Sequence, residues 1–323
     1  MKRFLAVTVL VASAATASAQ NYPTRPIMMV VPFAAGGSFD ILGRTVSIRM
    51  SELLGQQVVV ENTSGGAGIT GTMRVVTAPP DGYTILLASV GTHAYNPAIY
   101  ANLRYDPTKD FTPIILFADQ PMAMIARKDL PVNNLQEFIT YAKANAAKMQ
   151  YGSAGVGSTT HLSCTMFNKT IGIDTVHVPY RGGGPAAQAV LTGEIDYACL
   201  NMGGAIPLIS SGMVKGIANL SLTRAPNFQQ LPTADEQGLK GFNVSTWNAL
   251  LGPKGMPPEI VAKLNEVTRQ TIDTPAIYER LHEQGVTPPP ADQRSPEYLA
   301  KFIKEEVTRW DGPIKAAGIK ATN

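Results

Sequence analysis

Cysteine, charge and long apolar runs are all scarce in this chain. Its 323 residues include two cysteines, Cys164 and Cys199, which allow one intrachain disulfide at most. Charged residues make up 16% of the total and the formal net charge is +3. Nothing in that balance points to a nucleic acid or a membrane surface as partner. Beyond the N-terminal stretch no segment reaches the roughly eighteen uninterrupted apolar residues of a membrane-spanning helix.

Catalytic signatures are missing as well. Gly152-Ser153-Ala154-Gly155 follows Tyr151 and so lacks the first glycine of a G-x-S-x-G nucleophile elbow. Gly155-Val156-Gly157 has Thr160 at the third-glycine position, which breaks a dinucleotide fingerprint. His93, His161, His177 and His282 show no short metal-ligand spacing, and no phosphate-binding P-loop or S-x-x-K pattern occurs. No metal, no cofactor and no catalysis are therefore expected. A hydrolase whose triad assembles only in space is the enzymatic alternative.

The N-terminus carries Lys2-Arg3, an apolar run from Phe4 to Val11, then Ala17-Ser18-Ala19 before Gln20. That pattern reads as a secretory signal peptide over 1–19, cleaved after Ala19 and too short in its apolar run to span a bilayer. Its loss removes two positive charges, taking +3 to +1. The mature chain is expected in the periplasm. An oxidising compartment and an even count favour a bond between Cys164 and Cys199, closing a 35-residue separation. Two buried thiols are the rival, because sequence does not supply the Cα separation that decides it.

Val30–Asp40, reading VVPFAAGGSFD, organises the remainder. The apolar run Ile27–Val31 predicts a buried strand, and the spacing of Ile41, Leu42, Val46 and Leu53 predicts a helix after it. Ser38 and Asp40 suit its N-cap and first turn. A helix N-terminus has unpaired N–H groups and about half a positive charge, a seat for an anion, and Gly36-Gly37 let the backbone approach the bound group. The same order of strand, glycine turn with hydroxyls and helix recurs at Gly152–Ser158. Apolar strands at Gln57–Val60, Thr84–Ala88, Met149–Gly152, Val176–Pro179, Ile195–Leu200 and Gly216–Leu220 alternate with helical patterns, which argues for sheets covered by helices. The last third reads as helical over Pro257–Ile272, Ile277–Glu283 and Pro296–Ile314. Two anion seats in different lobes, facing one cleft, would let a ligand with carboxylates at both ends bridge the lobes without a dedicated arginine.

The leader followed by YPTRPI, VPFAAGGSFD, SGGAG, PPDGYTILLAS, YDPTKDFTPI, YGSAGVGSTTHL and VPYRGGGPA resembles the substrate-binding proteins of tripartite tricarboxylate transporters, the TctC-like or Bordetella-uptake-gene (Bug) proteins. The likeness covers nearly the whole mature chain. It implies an α/β, two-lobed, type II periplasmic-binding-protein fold, each lobe a mixed sheet flanked by helices with the ligand cleft between. It also implies capture of a small di-, tri- or aromatic carboxylate and delivery to a permease of one large and one small subunit. A disulfide between Cys164 and Cys199 fits the same type.

Carried over by resemblance, the first seat is Phe33, Ala35, Gly36, Gly37, Ser38 and Asp40, with Asp40 capping the helix rather than touching ligand. Phe39 stands where a small residue is expected, offering an aromatic wall. Ser89 and Thr92 come from the strand end before the first crossing. The second seat is Ser153, Ala154, Gly157, Ser158 and Thr159, with His161 one turn on as either a contact or a packed capping residue. Gly182, Gly183 and Asn201 line the far lobe, and Leu200 in place of an acidic residue implies a less polar distal pocket. Trp247 is either a closing aromatic or core; Arg181 is either a distal partner or an exposed turn residue. Lobe 1 is expected over 22–120 plus 221–323 and lobe 2 over 121–220, hinged near Asp119–Met122 and Leu220–Arg224. A monomer is expected, and a ligand sensor reporting to a membrane protein is the non-transport alternative.

Overall fold

The computed structural model describes residues 22–320, so the leader expected over 1–19 lies outside the described residues. β1 (Ile27–Val31) is apolar on both faces: Ile27, Met29 and Val31 enter one core and Val30 another. β3 (Thr84–Ser89) divides in the same way, Ile85 and Leu87 from Leu86 and Ala88. Strands with two apolar faces need cover on both sides, which is the layering of a parallel α/β sheet. β2 (Val58–Asn62) and β3 pair with β1 in parallel. The crossovers are α1 (Ser38–Leu54) and α2 (Ile69–Val76), and α3 (Asn96–Ile99) follows a π-helical turn at Gly91–Tyr95.

The second half repeats the scheme. It holds α4 (Leu135–Asn145), β5 (Gln150–Ser153), α5 (Thr159–Ile171), β6 (Val176–Pro179), α6 (Gly183–Thr192), β7 (Tyr197–Asn201), α7 (Met202–Ser210) and β8 (Val214–Asn219). β7 again alternates, Tyr197 and Cys199 against Ala198 and Leu200. Cys164 of α5 and Cys199 of β7 form a disulfide inside this half, their Cα atoms 5.5 Å apart.

One strand joins the halves. β4 (Phe111–Arg127) runs antiparallel to β9 (Ser245–Pro253) from Phe111 to Pro121, then to β7 and β8 from Met122 onward. Proline lacks a ladder donor, and Pro121 falls where the partner strands change. The strand order is β2-β1-β3-β9-β4-β7-β5-β6, with β8 also on β4. The chain then returns to the first half through α8 (Pro258–Asp273), α9 (Pro275–Glu283) and α10 (Pro296–Ala316).

The expected return at residue 221 is corrected. Ala225, Phe228 and Leu231 share a core with Ala123 and Ile125, and Ala234, Phe242 and Val244 share one with Met122 and Met124. The Val244 N–H donates to the Leu220 carbonyl at 2.8 Å, which holds the whole segment to the second half. The chain recrosses at Val244–Ser245, where Ser245 opposes Pro121, and not over Leu220–Arg224.

Candidate functional site

Four strand-to-helix turns open on one cavity of about 290 Å³. The first turns of α1, α5, α6 and α7 supply Gly37 and Ser38, Ser158 to Thr160, Gly183 and Gly184, and Asn201, Gly203 and Gly204 to its wall. Each turn is shaped by local chemistry. Gly36 sits at φ +81, a left-handed conformation, and its N–H donates to Asp40 Oδ2 at 2.9 Å. Arg44 Nε donates to Asp40 Oδ1 at 2.9 Å. Burial acts to raise the Asp40 carboxyl, but the bonds from Arg44 and Gly36 outweigh it and leave it below the usual carboxylate range. Asp40 thus closes the turn from inside the helix and does not line the cavity.

No side chain caps α1, α6 or α7, so their first-turn N–H groups are left for whatever occupies the cavity. α5 is capped by Ser158, whose Oγ accepts from the His161 N–H at 3.2 Å. Thr159 lines the cavity with its Oγ1 buried and unpartnered. Asn201 lines it too, and its Nδ2 donates to Gln120 Oε1 at 2.9 Å, tying the wall to the crossing strand. Among the described residues no charged side chain and no histidine lines this cavity. Four positive helix ends without a cation make a seat for an anionic ligand, with apolar walls around it.

The turns of the two halves touch. The Ala34 N–H donates to the Arg181 carbonyl at 3.3 Å. A Cβ at Gly184 would lie 3.3 Å from the Gly36 backbone, and one at Gly204 only 2.7 Å from Ser38 Oγ. Glycine at these positions permits that approach.

Of the residues expected at the site, Phe33, Gly36, Gly37, Ser38, Ala154, Ser158, Thr159, Gly183 and Asn201 line the cavity. Others do not. Ala35 is exposed beside it, and Gly182 packs against Ala34. Ser89 and Thr92 bond to each other in the buried turn behind it, and Thr92 Oγ1 also meets His93 Nδ1 at 2.9 Å. Ser153 Oγ is engaged by His177 Nε2 at 2.6 Å, and Gly157 is pressed against Asn96. His161 takes the capping alternative: its Nδ1 accepts from the Gly157 N–H at 3.3 Å. Trp247 is turned away, donating from Nε1 to Glu306 Oε2 at 2.9 Å in a separate hollow. Arg181 is exposed and offers only its carbonyl. The α7 turn was missed, although Asn201-Met202-Gly203-Gly204 after an apolar run repeats the signal of Gly36-Gly37.

A family model described as the tripartite tricarboxylate transporter family receptor matches residues 42–319. Among solved structures, the periplasmic binding protein BugD is 40% identical with a TM-score of 0.89, covering 93% of this chain and 100% of its own. MatC from Rhodopseudomonas palustris, solved with bound malate, is 37% identical with a TM-score of 0.87, over 90% of this chain and 99% of its own. A second R. palustris protein, solved with adipate, is 34% identical with a TM-score of 0.89, over 93% and 100%. With its mixed α/β architecture and its four helix ends on one cavity, the chain belongs to the tripartite tricarboxylate transporter receptor family, the TctC or Bug proteins, which are solute-binding receptors and not enzymes.

Proposed function

We propose that this protein is an exported periplasmic receptor that captures a small organic carboxylate between two lobes and delivers it to the large and small permease subunits of a tripartite transporter. The observation that carries the proposal is the convergence of four helix N-termini, three without side-chain caps, on a cavity free of charged side chains. A carboxylate there accepts backbone N–H bonds from both halves at once, so it favours the state in which the halves touch. The hinge is the pair of crossings at Pro121–Met122 and Val244–Ser245, giving lobes of 22–121 with 245–320 and 122–244. The malate and adipate held by two similar proteins support a carboxylate as ligand.

Gly37 is the N-cap of α1 at φ −86, a conformation any residue adopts. Aspartate is a favoured N-cap, so Gly37→Asp leaves the helix intact while its own carboxylate fills the seat. Ser158→Asp keeps the cap of α5 in the same way. Calorimetric titration with a carboxylate ligand is expected to show at least a roughly hundredfold loss of affinity in either variant. Unchanged affinity in both folded variants would remove these turns from the site.

A further inference from the structure

Resting on the receptor assignment above, we infer that the ligand is a monocarboxylate with an apolar body, aliphatic or aromatic, and that Leu191, Leu200 and Leu208 select it. The cavity has two chemically different ends. At the inner end Gly37, Ser158, Thr159, Thr160 and Asn201 are all buried, and the unpartnered Thr159 Oγ1 is there. The lining residues that reach solvent are Ile41 from α1, Gln188 and Leu191 from α6, and Pro207 and Leu208 from α7, with Gly36, Ser38, Gly183, Gly184 and Gly204 also partly or fully exposed. Ile41 is 38% exposed, an apolar side chain left at the rim of its own cavity.

Ala187, Leu200 and Phe39 add buried apolar lining. Pro207 brings no N–H to the lining, since proline has none, and Gln188 is the one neutral side-chain amide on the outer part. A ligand entering carboxylate-first places its anion among the helix ends and its body along these leucines. An apolar body gains by leaving water there. A second carboxylate carried out along Ile41, Leu191, Pro207 and Leu208 would lose water against side chains with no cation among them, which is unfavourable for an unpaired charge. Arg181 does not compensate, because it is exposed, does not line the cavity and contributes only its carbonyl to Ala34.

The test pairs ligands that differ only at the far end: hexanoate with adipate, and 4-methylbenzoate with terephthalate. Mature protein, unfolded and refolded to strip any carried ligand, is titrated calorimetrically with each, and with malate and citrate. The expected result is at least tenfold tighter binding of the monocarboxylate in at least one pair. Binding of adipate, terephthalate, malate or citrate as tight as that of the monocarboxylates overturns this inference and leaves the receptor assignment standing. Binding of no carboxylate at all overturns both. Leu191 and Leu208 are both only partly buried, so Leu208→Arg and Leu191→Arg are the matching variants. Either one, checked for a native melt, is expected to shift the hexanoate-to-adipate ratio at least tenfold toward adipate. An unchanged ratio in both folded variants would place the ligand body elsewhere and contradict the role given to these leucines.

Discussion

His161 and His177 lie with ring centroids 4.3 Å apart beneath the first turn of α5, and His93 is wholly buried behind the cavity. Burial, with mutual repulsion added at His161, pushes His161 and His93 down to about 3 and His177 to about 4. All three are neutral in the folded protein at neutral pH, whereas in the unfolded chain they take up protons near 6.5. The unfolded state therefore binds more protons below that value. Stability is complete above about pH 6.5 and is lost as pH falls toward the folded values, by roughly 2 kcal/mol per histidine at pH 5. Urea unfolding at pH 7.5 and 5.0 is expected to show this loss, and His177→Gln to reduce it. Ligand affinity should move differently: no titratable side chain lines the cavity, so it stays flat from pH 8 down to the ligand's own carboxyl range, about 4 to 5. At the same scale, Thr159→Val removes an unpartnered buried hydroxyl. It should leave the melt unchanged and weaken the carboxylate about tenfold, the worth of one hydrogen bond to a charge.

At the scale of elements, the disulfide matters to the site as well as to the fold. It ties α5 to β7, and the end of β7 leads directly into α7, so two of the four helices facing the cavity are held together by Cys164–Cys199. Closing 35 residues constrains the unfolded chain by about 3–4 kcal/mol. Cys164→Ala with Cys199→Ala is expected to lower the unfolding free energy by that amount, measured in urea, while wild type treated with a reductant approaches the same value. Most elements were legible in the sequence because each rests on local patterns: β1 on its unbroken apolar run, α1 on Gly37-Ser38 and its amphipathic spacing, and α8 and α10 on prolines at their starts. β4 was not legible, since Pro113, Pro121 and the polar pair Asp119-Gln120 break the strand pattern. Pro113 sits at a register shift against β9 and Pro121 at the change of partners, and both are facts of tertiary pairing. α7 hid behind Pro207 within it. Trp247 could not be placed because the carboxylate that anchors its indole, Glu306, lies 59 residues away.

At the scale of the molecule, the contact between the two halves runs through bare backbone. Gly184 has ordinary helical geometry, but a side chain there would meet the Gly36 and Gly37 backbone of the other half at 3.3 Å. Gly184→Val is therefore expected to fold normally, to resist closure and to bind carboxylate at least about tenfold more weakly. In small-angle scattering it should keep one radius of gyration with and without ligand, where the wild type contracts. The same view explains why the lobe boundary was misjudged. The loop after β8 carries Ala225, Phe228, Leu231, Phe242 and Val244, and their burial in the second half could not be told from sequence order alone.

An anion bridging four helix ends is proposed to hold the two halves together. A thermal-shift screen of the refolded mature protein against mono-, di- and tricarboxylates tests it most directly. A ligand at a hundred times its dissociation constant adds about 2.7 kcal/mol to the folded state, a rise in melting temperature that is easily read. Such a rise is expected for a selective carboxylate, and is expected to be absent in Gly37→Asp. A screen in which no carboxylate raises the melt, or in which Gly37→Asp responds as the wild type does, would contradict this proposal.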